Sequence, residues 1–559
     1  MMRSIGSKLL ANAAVCLVLP AHVFAAAADA AADAGAANIV PADAGAANVA
    51  LADASAVTDN GSDIVVLGFG QSRQIQSIHA DDIARVTPGS SPLKALEKLP
   101  GVNFESADPF GAYEWAVRIS LRGFNQNQLG FTLDDVPLGD MSYGNVNGLH
   151  ISRAIISENV GRVDLAQGAG ALGTASTSNL GGTIQFFSAA PKDEFGLAAS
   201  GTYGADTTER GYVRLDSGEV GGSLKAYLSY AYLHTDKWKG EGPQTQHQAN
   251  AKVVEDLGDL GSISAFFNFS DRRETDYQDL TLDLLRRVGF DAGLRVDNIN
   301  PSYKLAETLA EIGANRGDTG VKPTNPAAGT AYPAPYTNVD DVYYDAGGVR
   351  RDYLTGATID AHLAPGFSLK TTGYYHTNKG QGSWFTPYAS TPLGAPDQQG
   401  NPITNPSPLS FRTTEYAIHR GGAVSNATYE AGANTFEVGG WYETNTFDQA
   451  RRYYGLSDDA PDRGVLQFQK NPYSTQYAGK YDTETLQYHV EDTLKLFGDN
   501  LVLNGGWKGV RVTNTAHTTA GILASGKIDA KDWFQPQVGA VYHITPAVEA
   551  FADYTENMR

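Results

Sequence analysis

The sequence predicts a mainly β protein, in which a smaller α+β region precedes a long series of antiparallel transmembrane strands. Three observations carry that prediction. From Phe195 onward apolar and polar residues alternate in segments of roughly ten, as strands do when one face meets lipid and the other a polar interior. Leu224, Ala226, Leu228, Tyr230 and Tyr232 share one face, Ile263, Ala265, Phe267 and Phe269 another. Phe436, Val438 and Tyr442 oppose Glu437 and Glu443, while Leu486, Tyr488 and Val490 oppose Gln487, His489 and Glu491. Second, short connections (218–222, 258–261, 364–366, 431–432) alternate with long ones over 273–347, 379–411 and 447–480. Short turns on one side and long loops on the other are what a membrane barrel needs and a soluble sandwich does not. Third, the chain opens with an export signal but holds no later apolar run long enough for a membrane helix, which leaves strands to do any spanning.

In chain order, residues 1–26 read as that signal: Arg3 and Lys8, an apolar run from Leu9 to Val18, then Val23-Phe24-Ala25 as a cleavage site. The sole cysteine, Cys16, lies inside it, so the exported part has no thiol chemistry or disulfide framework. The net charge of −20 argues against nucleic acid as a partner. Residues 27–62 are low-complexity, with Ala-Asp-Ala-Gly-Ala-Ala-Asn at 32–38 repeated at 42–48, and cannot bury enough apolar surface to order themselves. This tether ends in Asp63-Ile64-Val65-Val66-Leu67-Gly68, a short strand signal.

Residues 69–191 form the α+β region. A helix is expected over Pro92 to Leu99, stopped by Pro100-Gly101, with Leu93, Leu96 and Leu99 on one face. Strand signals follow in Gly101–Phe104, Val117–Phe124 and Phe131–Leu138. The organising stretch is GRVDLAQGAGALGTASTSNLGGTIQFFS, residues 161–188: two strands joined by small residues. Its Gly168-x-Gly170-x-x-Gly173 matches a dinucleotide fingerprint in spacing, but no amphipathic helix follows to hold a pyrophosphate.

RVDLAQG, GALG, NLGG and TIQFFSAAP, preceded in order by Pro-Gly-Val, Leu-Arg-Gly-Phe and Leu-Asp-Asp-Val-Pro, resemble the plug of TonB-dependent outer-membrane receptors. Gln167-Gly168-Ala169 departs from the Arg-Gly-Pro usual there. The resemblance implies a plug domain inside an antiparallel transmembrane β-barrel in the outer membrane of a Gram-negative bacterium, in contact with lipid and lipopolysaccharide. It makes Asp63, Ile64, Val65, Val66 and Leu67 a TonB box for the TonB periplasmic domain; the plainer reading of the same residues is the plug's first strand. It seats the plug by arginines on acidic wall residues, with Arg122 and its strand neighbour Arg118 as candidates; the plainer reading of these two is a solvated strand face. It also makes the loops carrying Phe110, Tyr113 and Trp115, and Met141, Tyr143 and Asn145, the plug apices. These aromatics need covering by a ligand or by the barrel wall. The implied cargo is a ferric siderophore, with cobalamin or an oligosaccharide as alternatives.

About 13 strand candidates lie between Phe195 and Tyr554, against the 22 that the resemblance implies. The expectation is therefore an open sheet and a C-terminally truncated receptor that does not transport alone; a complete smaller barrel is the alternative.

No catalytic constellation or cofactor motif supports an enzyme. Gly521–Lys527 imitates a phosphate loop, but Ile528 stands where the magnesium-binding hydroxyl belongs. Asp340, Asp341 and Asp345 read either as a calcium site or as a solvated acidic loop. A passive porin or adhesin barrel is the main rival reading, a secreted β-rich enzyme a more distant one.

Overall fold

The computed structural model describes residues 75–111, 113–140, 148–168, 170–289, 299–342, 344–458, 460–545 and 548–558. The signal, the tether and residues 63–67 lie outside these, as do Met141, Tyr143 and Asn145.

The plug is built on strands β1 (Ile75–His79), β2 (Val102–Glu105), β3 (Arg118–Leu121), β4 (Phe124–Asn125), β5 (Leu129–Leu133), β6 (Val136–Pro137), β7 (Val160–Gln167) and β8 (Gly182–Ser188). A five-stranded sheet runs β1-β7-β8-β5-β6, and β2-β3-β4 form a small second one. The two strands of the small-residue stretch, β7 and β8, pair antiparallel at the middle of the first sheet, and β5 lies parallel to β8. Ile78, Leu133, Val163, Leu165, Ile184 and Phe186 form the core between and beneath them. The expected helix over 92–99 is a single 3-10 turn, Lys94–Lys98, because Pro92 and Pro100 leave too few residues for an α-helix to propagate. Leu93 and Leu96 are buried as its pattern requires.

Gly182 shows why the stretch is glycine-rich. Its φ is +139°, and a Cβ there would lie 2.5 Å from the Ala166 carbonyl oxygen and 2.8 Å from Leu121 Cδ2. Gly182→Ala is expected to cost roughly 1–3 kcal/mol in backbone strain, with the clash added. A plug melting temperature unchanged by that substitution would contradict this account.

The wall is one 13-stranded antiparallel sheet in sequence order, β9 (Phe195–Gly204), β10 (Thr208–Ser217), β11 (Leu224–Asp236), β12 (Pro243–Asp256), β13 (Gly261–Thr275), β14 (Ala346–Ala364), β15 (Phe367–Thr386), β16 (Ser410–Ala431), β17 (Asn434–Tyr454), β18 (Ser474–Leu496), β19 (Leu501–Ala520), β20 (Gly526–Thr545) and β21 (Val548–Thr555). Its order is linear: β9 and β21 are the two edges and do not pair with each other. The alternation read from sequence holds. Leu228, Phe436, Val438, Tyr442 and Leu486 are exposed on the outer face, while Glu437, Glu443, Gln487, His489 and Glu491 are buried on the inner one.

Strands grow from 10 residues in β9 to 23 in β18. They run further into the expected loops than the sequence suggested, so the long connections shrink to 276–345, 387–409 and 455–473. The first of these contains an unexpected 18-residue helix, Ile299–Arg316. Its Tyr303 packs with Tyr344, Phe385, Leu409, Leu456 and Val465, so the three outer segments share a hydrophobic core of their own.

Candidate functional site: the plug seated in the wall

The plug meets the inner face of the sheet through a buried polar seat whose centre is Arg153. This residue lies on the short helix Ile151–Ala154, capped by His150, whose Nδ1 accepts from the Ser152 amide. The Arg153 guanidinium donates to Glu114 of the plug at 2.7 Å and to Asp352 of β14 at 2.5 Å. Asp352 also accepts from Asn378 at 2.7 Å and lies 3.0 Å from His376 Nε2, and Arg420 Nε lies 3.1 Å from the other ring nitrogen of His376. Glu114, Arg153 and Asp352 are each buried, so the charges have one another and little water. Burial works against charge on Glu114, but the Arg153 guanidinium, with Arg350, holds its carboxyl below the usual range. Burial likewise opposes the Arg153 charge and is outweighed by Asp352 and Glu114. For His150 burial wins, and its ring is pushed down to about 4, neutral beside the ion pair.

Further contacts spread the seat round the wall. Glu158 accepts two bonds from Arg210 of β10, at 2.5 and 2.7 Å. Asn159 donates to Ser229 and Asn250 and accepts from Tyr212, while Asp135 pairs with Lys370 at 2.6 Å. On the far side, Gln487 donates to the Thr174 carbonyl and Lys508 to Asn179. Partners on β10 through β19 therefore converge on one domain, which requires the sheet to wrap around it.

Arg118 and Arg122 do not join this seat. The Arg118 guanidinium donates to the carbonyls of Trp115 and Val117, and its side chain is exposed. Arg122 is exposed at φ +50°, in the turn between β3 and β4, and forms no ion pair among the described residues. The arginine that meets a wall carboxylate is Arg153, and the sequence did carry a signal for it. It stands alone among Leu149, Ile151, Ala154, Ile155 and Ile156, and a charge in an apolar run is buried only when paired.

At the apex, Phe110 and Tyr113 are 5% and 0% exposed. Phe110 packs on Leu233 of β11, and the Tyr113 ring meets that of Tyr277 edge-on at 5.3 Å. The protein's own wall and outer segment cover both, so neither faces an open vestibule. Trp115 differs, at 39% exposed. Gln167, which replaces the expected arginine, donates to Gln76 and to the Pro100 carbonyl, tying β7 to β1 and to the start of β2. Among the acidic loop residues, Asp341 accepts from Arg287 and from the Thr337 and Asn338 amides, and Asp340 from Tyr388. No cluster of metal-binding side chains occurs among the described residues.

A folded plug pinned by buried ion pairs inside a lipid-facing antiparallel sheet defines a plugged outer-membrane receptor. Comparison with known families agrees: residues 68–183 match the TonB-dependent Receptor Plug Domain and residues 302–559 the TonB dependent receptor-like beta-barrel. The chain belongs to the TonB-dependent receptors, a family of outer-membrane receptors and transporters.

A comparison with curated proteins returns no match. Solved structures share the fold. The unliganded ferric citrate transporter FecA is similar at 13% identity and a TM-score of 0.58, over 87% of this chain and 62% of that one. The ferric yersiniabactin uptake receptor FyuA from Yersinia pestis is similar at 14% and 0.55, over 86% and 64%. The outer-membrane receptor FpvA from Pseudomonas aeruginosa PAO1, bound to pyoverdine, is similar at 15% and 0.56, over 87% and 62%. The chain thus spans less than two thirds of the length of each.

Proposed function

We propose that this receptor takes up a ferric siderophore across the outer membrane, with the energy delivered by a TonB-type partner that grips residues 63–67. The observation that carries this reading is the filled wall. A passive porin keeps an aqueous lumen, whereas here a folded domain with its own core sits against the inner face and is held by buried charge. Such a domain must be moved or remodelled before a solute can pass, and that calls for an external source of work. The names of the similar structures, ferric citrate, yersiniabactin and pyoverdine receptors, support an iron chelate as cargo. Of the described apex aromatics, Trp115 is the one open to such a ligand; Met141, Tyr143 and Asn145 complete the proposed contact surface.

Transcript level under iron starvation, set against growth on individual glycans and on cobalamin, tests the cargo. Induction by iron limitation is expected, together with energy-dependent uptake of labelled ferric chelate. Indifference to iron with a response to one glycan would reassign the cargo.

A further inference from the structure

Part of the outer structure overhangs the lipid-facing side of the wall. Phe385 and Phe411, which belong to the core shared by the outer segments, alternate in step with Lys379 and Ala417, on the face turned away from the plug. The stretch 463–469 lies against that face. The Gln469 amide donates to Gln381 Oε1 at 2.6 Å, and Gln381 Nε2 returns a bond to the Gln469 carbonyl at 3.5 Å. Gln469 Nε2 closes the stretch on itself, donating to the carbonyls of Gly464 and Gln467 at 2.9 and 2.8 Å. Beside this overhang the sheet register gathers charge. His247, Asp271, Arg351 and Lys379 are successive cross-strand partners on β12 to β15, and Arg273 shares the face of Asp271. Arg273 Nε and Arg351 Nε donate to Asp271 at 3.1 and 2.9 Å. Arg273 Nη1 also reaches the Leu466 carbonyl at 3.4 Å, and Lys379 Nζ lies 5.1 Å from the centre of the Phe468 ring. Both guanidinium side chains are about two-fifths exposed, at 43% and 41%. Lys379 is exposed and has no carboxylate partner among the described residues. Glu415, on the next strand, already accepts from Thr413, Arg452 and Tyr454.

Three cations therefore face one carboxylate. Arg351 and Lys379 stand directly opposite each other, a placement in which like charges destabilise a sheet. The excess is positive on a chain whose net charge is −20. The residues below set its height. Down the outer face of β14, Arg351 is followed by Tyr353 and then by Ile359 and Leu363, all three exposed. Tyr353 packs on Phe269 of β13 at 5.2 Å, and Tyr375 is exposed on β15. Such rings mark the boundary between hydrocarbon and headgroups. The cations thus stand at the level of lipid phosphates, on the side of the long outer segments. Guanidinium forks match phosphate oxygens, and an ammonium adds a point charge. We propose that this notch binds the phosphorylated headgroup of one lipopolysaccharide molecule through Arg273, Arg351 and Lys379, against the 463–469 overhang. Three cations spread over three strands suit a headgroup with more than one phosphate. The lipid supplies the negative charge that the wall lacks there and fastens the overhang to the membrane surface. The proposal rests on the outer-membrane placement of the wall, not on the uptake reading.

The test is lipid binding to the full chain in detergent micelles, read by native mass spectrometry. The probes are a rough lipopolysaccharide of defined mass, the same lipid stripped of its phosphates, phosphatidylglycerol and inorganic phosphate. The intact lipopolysaccharide should bind, and removing its phosphates should weaken binding roughly tenfold or more. Arg273→Gln, Arg351→Gln and Lys379→Gln together should cost about as much. Lys379→Gln alone breaks no described hydrogen bond or ion pair, and its loss of about threefold keeps the test if the triple variant does not fold. Lys480→Gln, an exposed lysine of β18 that pairs with Asp482 outside the notch, should bind like the parent. Equal affinity for the intact and stripped lipids, or Lys379→Gln and triple variants that bind like the parent, would overturn the site. Phosphatidylglycerol bound as tightly, or displacement by inorganic phosphate at the lipid's concentration, would overturn the choice of occupant. No transport is read, so failure here is distinct from failure of the uptake reading.

Discussion

In a complete, functional receptor carrying this segment, Ile64→Pro and Val65→Pro are each expected to reduce energised uptake to background while leaving ferric-siderophore binding at the cell surface unchanged. A strand at the end of a low-complexity tether joins a partner's sheet edge through main-chain hydrogen bonds, with little demand on side chains. Proline removes a backbone donor and fixes φ, so it breaks that pairing wherever the donor is used. Ile64→Ala keeps the backbone intact and should retain most of the uptake, which separates loss of pairing from loss of a side chain. Undiminished uptake in both proline variants would remove residues 63–67 from the coupling role and return them to the plug as an ordinary strand.

Arg153→Ala should be the most damaging single change within the described structure. It leaves Glu114 and Asp352 buried without the cation that lies 2.7 and 2.5 Å from them. Removing one partner of a buried pair typically costs about 3–5 kcal/mol. The expected readout is a fall in the denaturant midpoint for plug unfolding, together with release of the plug's amides to exchange. Arg153→Met combined with Glu114→Gln and Asp352→Asn should recover much of the loss, because no charge is then stranded. A single Arg153→Ala variant as stable as the parent would show that the ion pair holds nothing.

The legible parts of this fold are those in which one face meets a uniform environment. Leu486 and Tyr488 alternate with Gln487 and His489 because lipid lies on one side and the plug on the other. Once β15 and β17 rise clear of lipid, the outward positions no longer need to be apolar. The ladder continues to Thr386 and Tyr454 without its signature, so in sequence these ends look like loop. The helix Ile299–Arg316 was hidden differently. Tyr303, Ala306 and Ala310 have helical spacing, but the segment around them is rich in Pro, Gly and Asp, and their packing partners lie in two other segments. In the seat, the pairing of a plug arginine with a wall carboxylate was anticipated from family resemblance. Strand alternation drew attention to Arg118 and Arg122, whereas burial selects Arg153, which sits on a four-residue helix that leaves almost no periodicity to read.

The unequal strand lengths give the wall an uneven height. At about 3.3 Å per residue, the 23 residues of β18 extend about 75 Å, and at a tilt near 45° they stand about 50 Å tall, roughly twice the ~25 Å apolar band of such a sheet. The 10 residues of β9 and of β10 stand about 23 Å and only just match that band. The rim therefore slopes, with a parapet along β14 to β20 and a sill at β9 and β10. The low end of the wall therefore falls on the two strands that follow the plug in the chain.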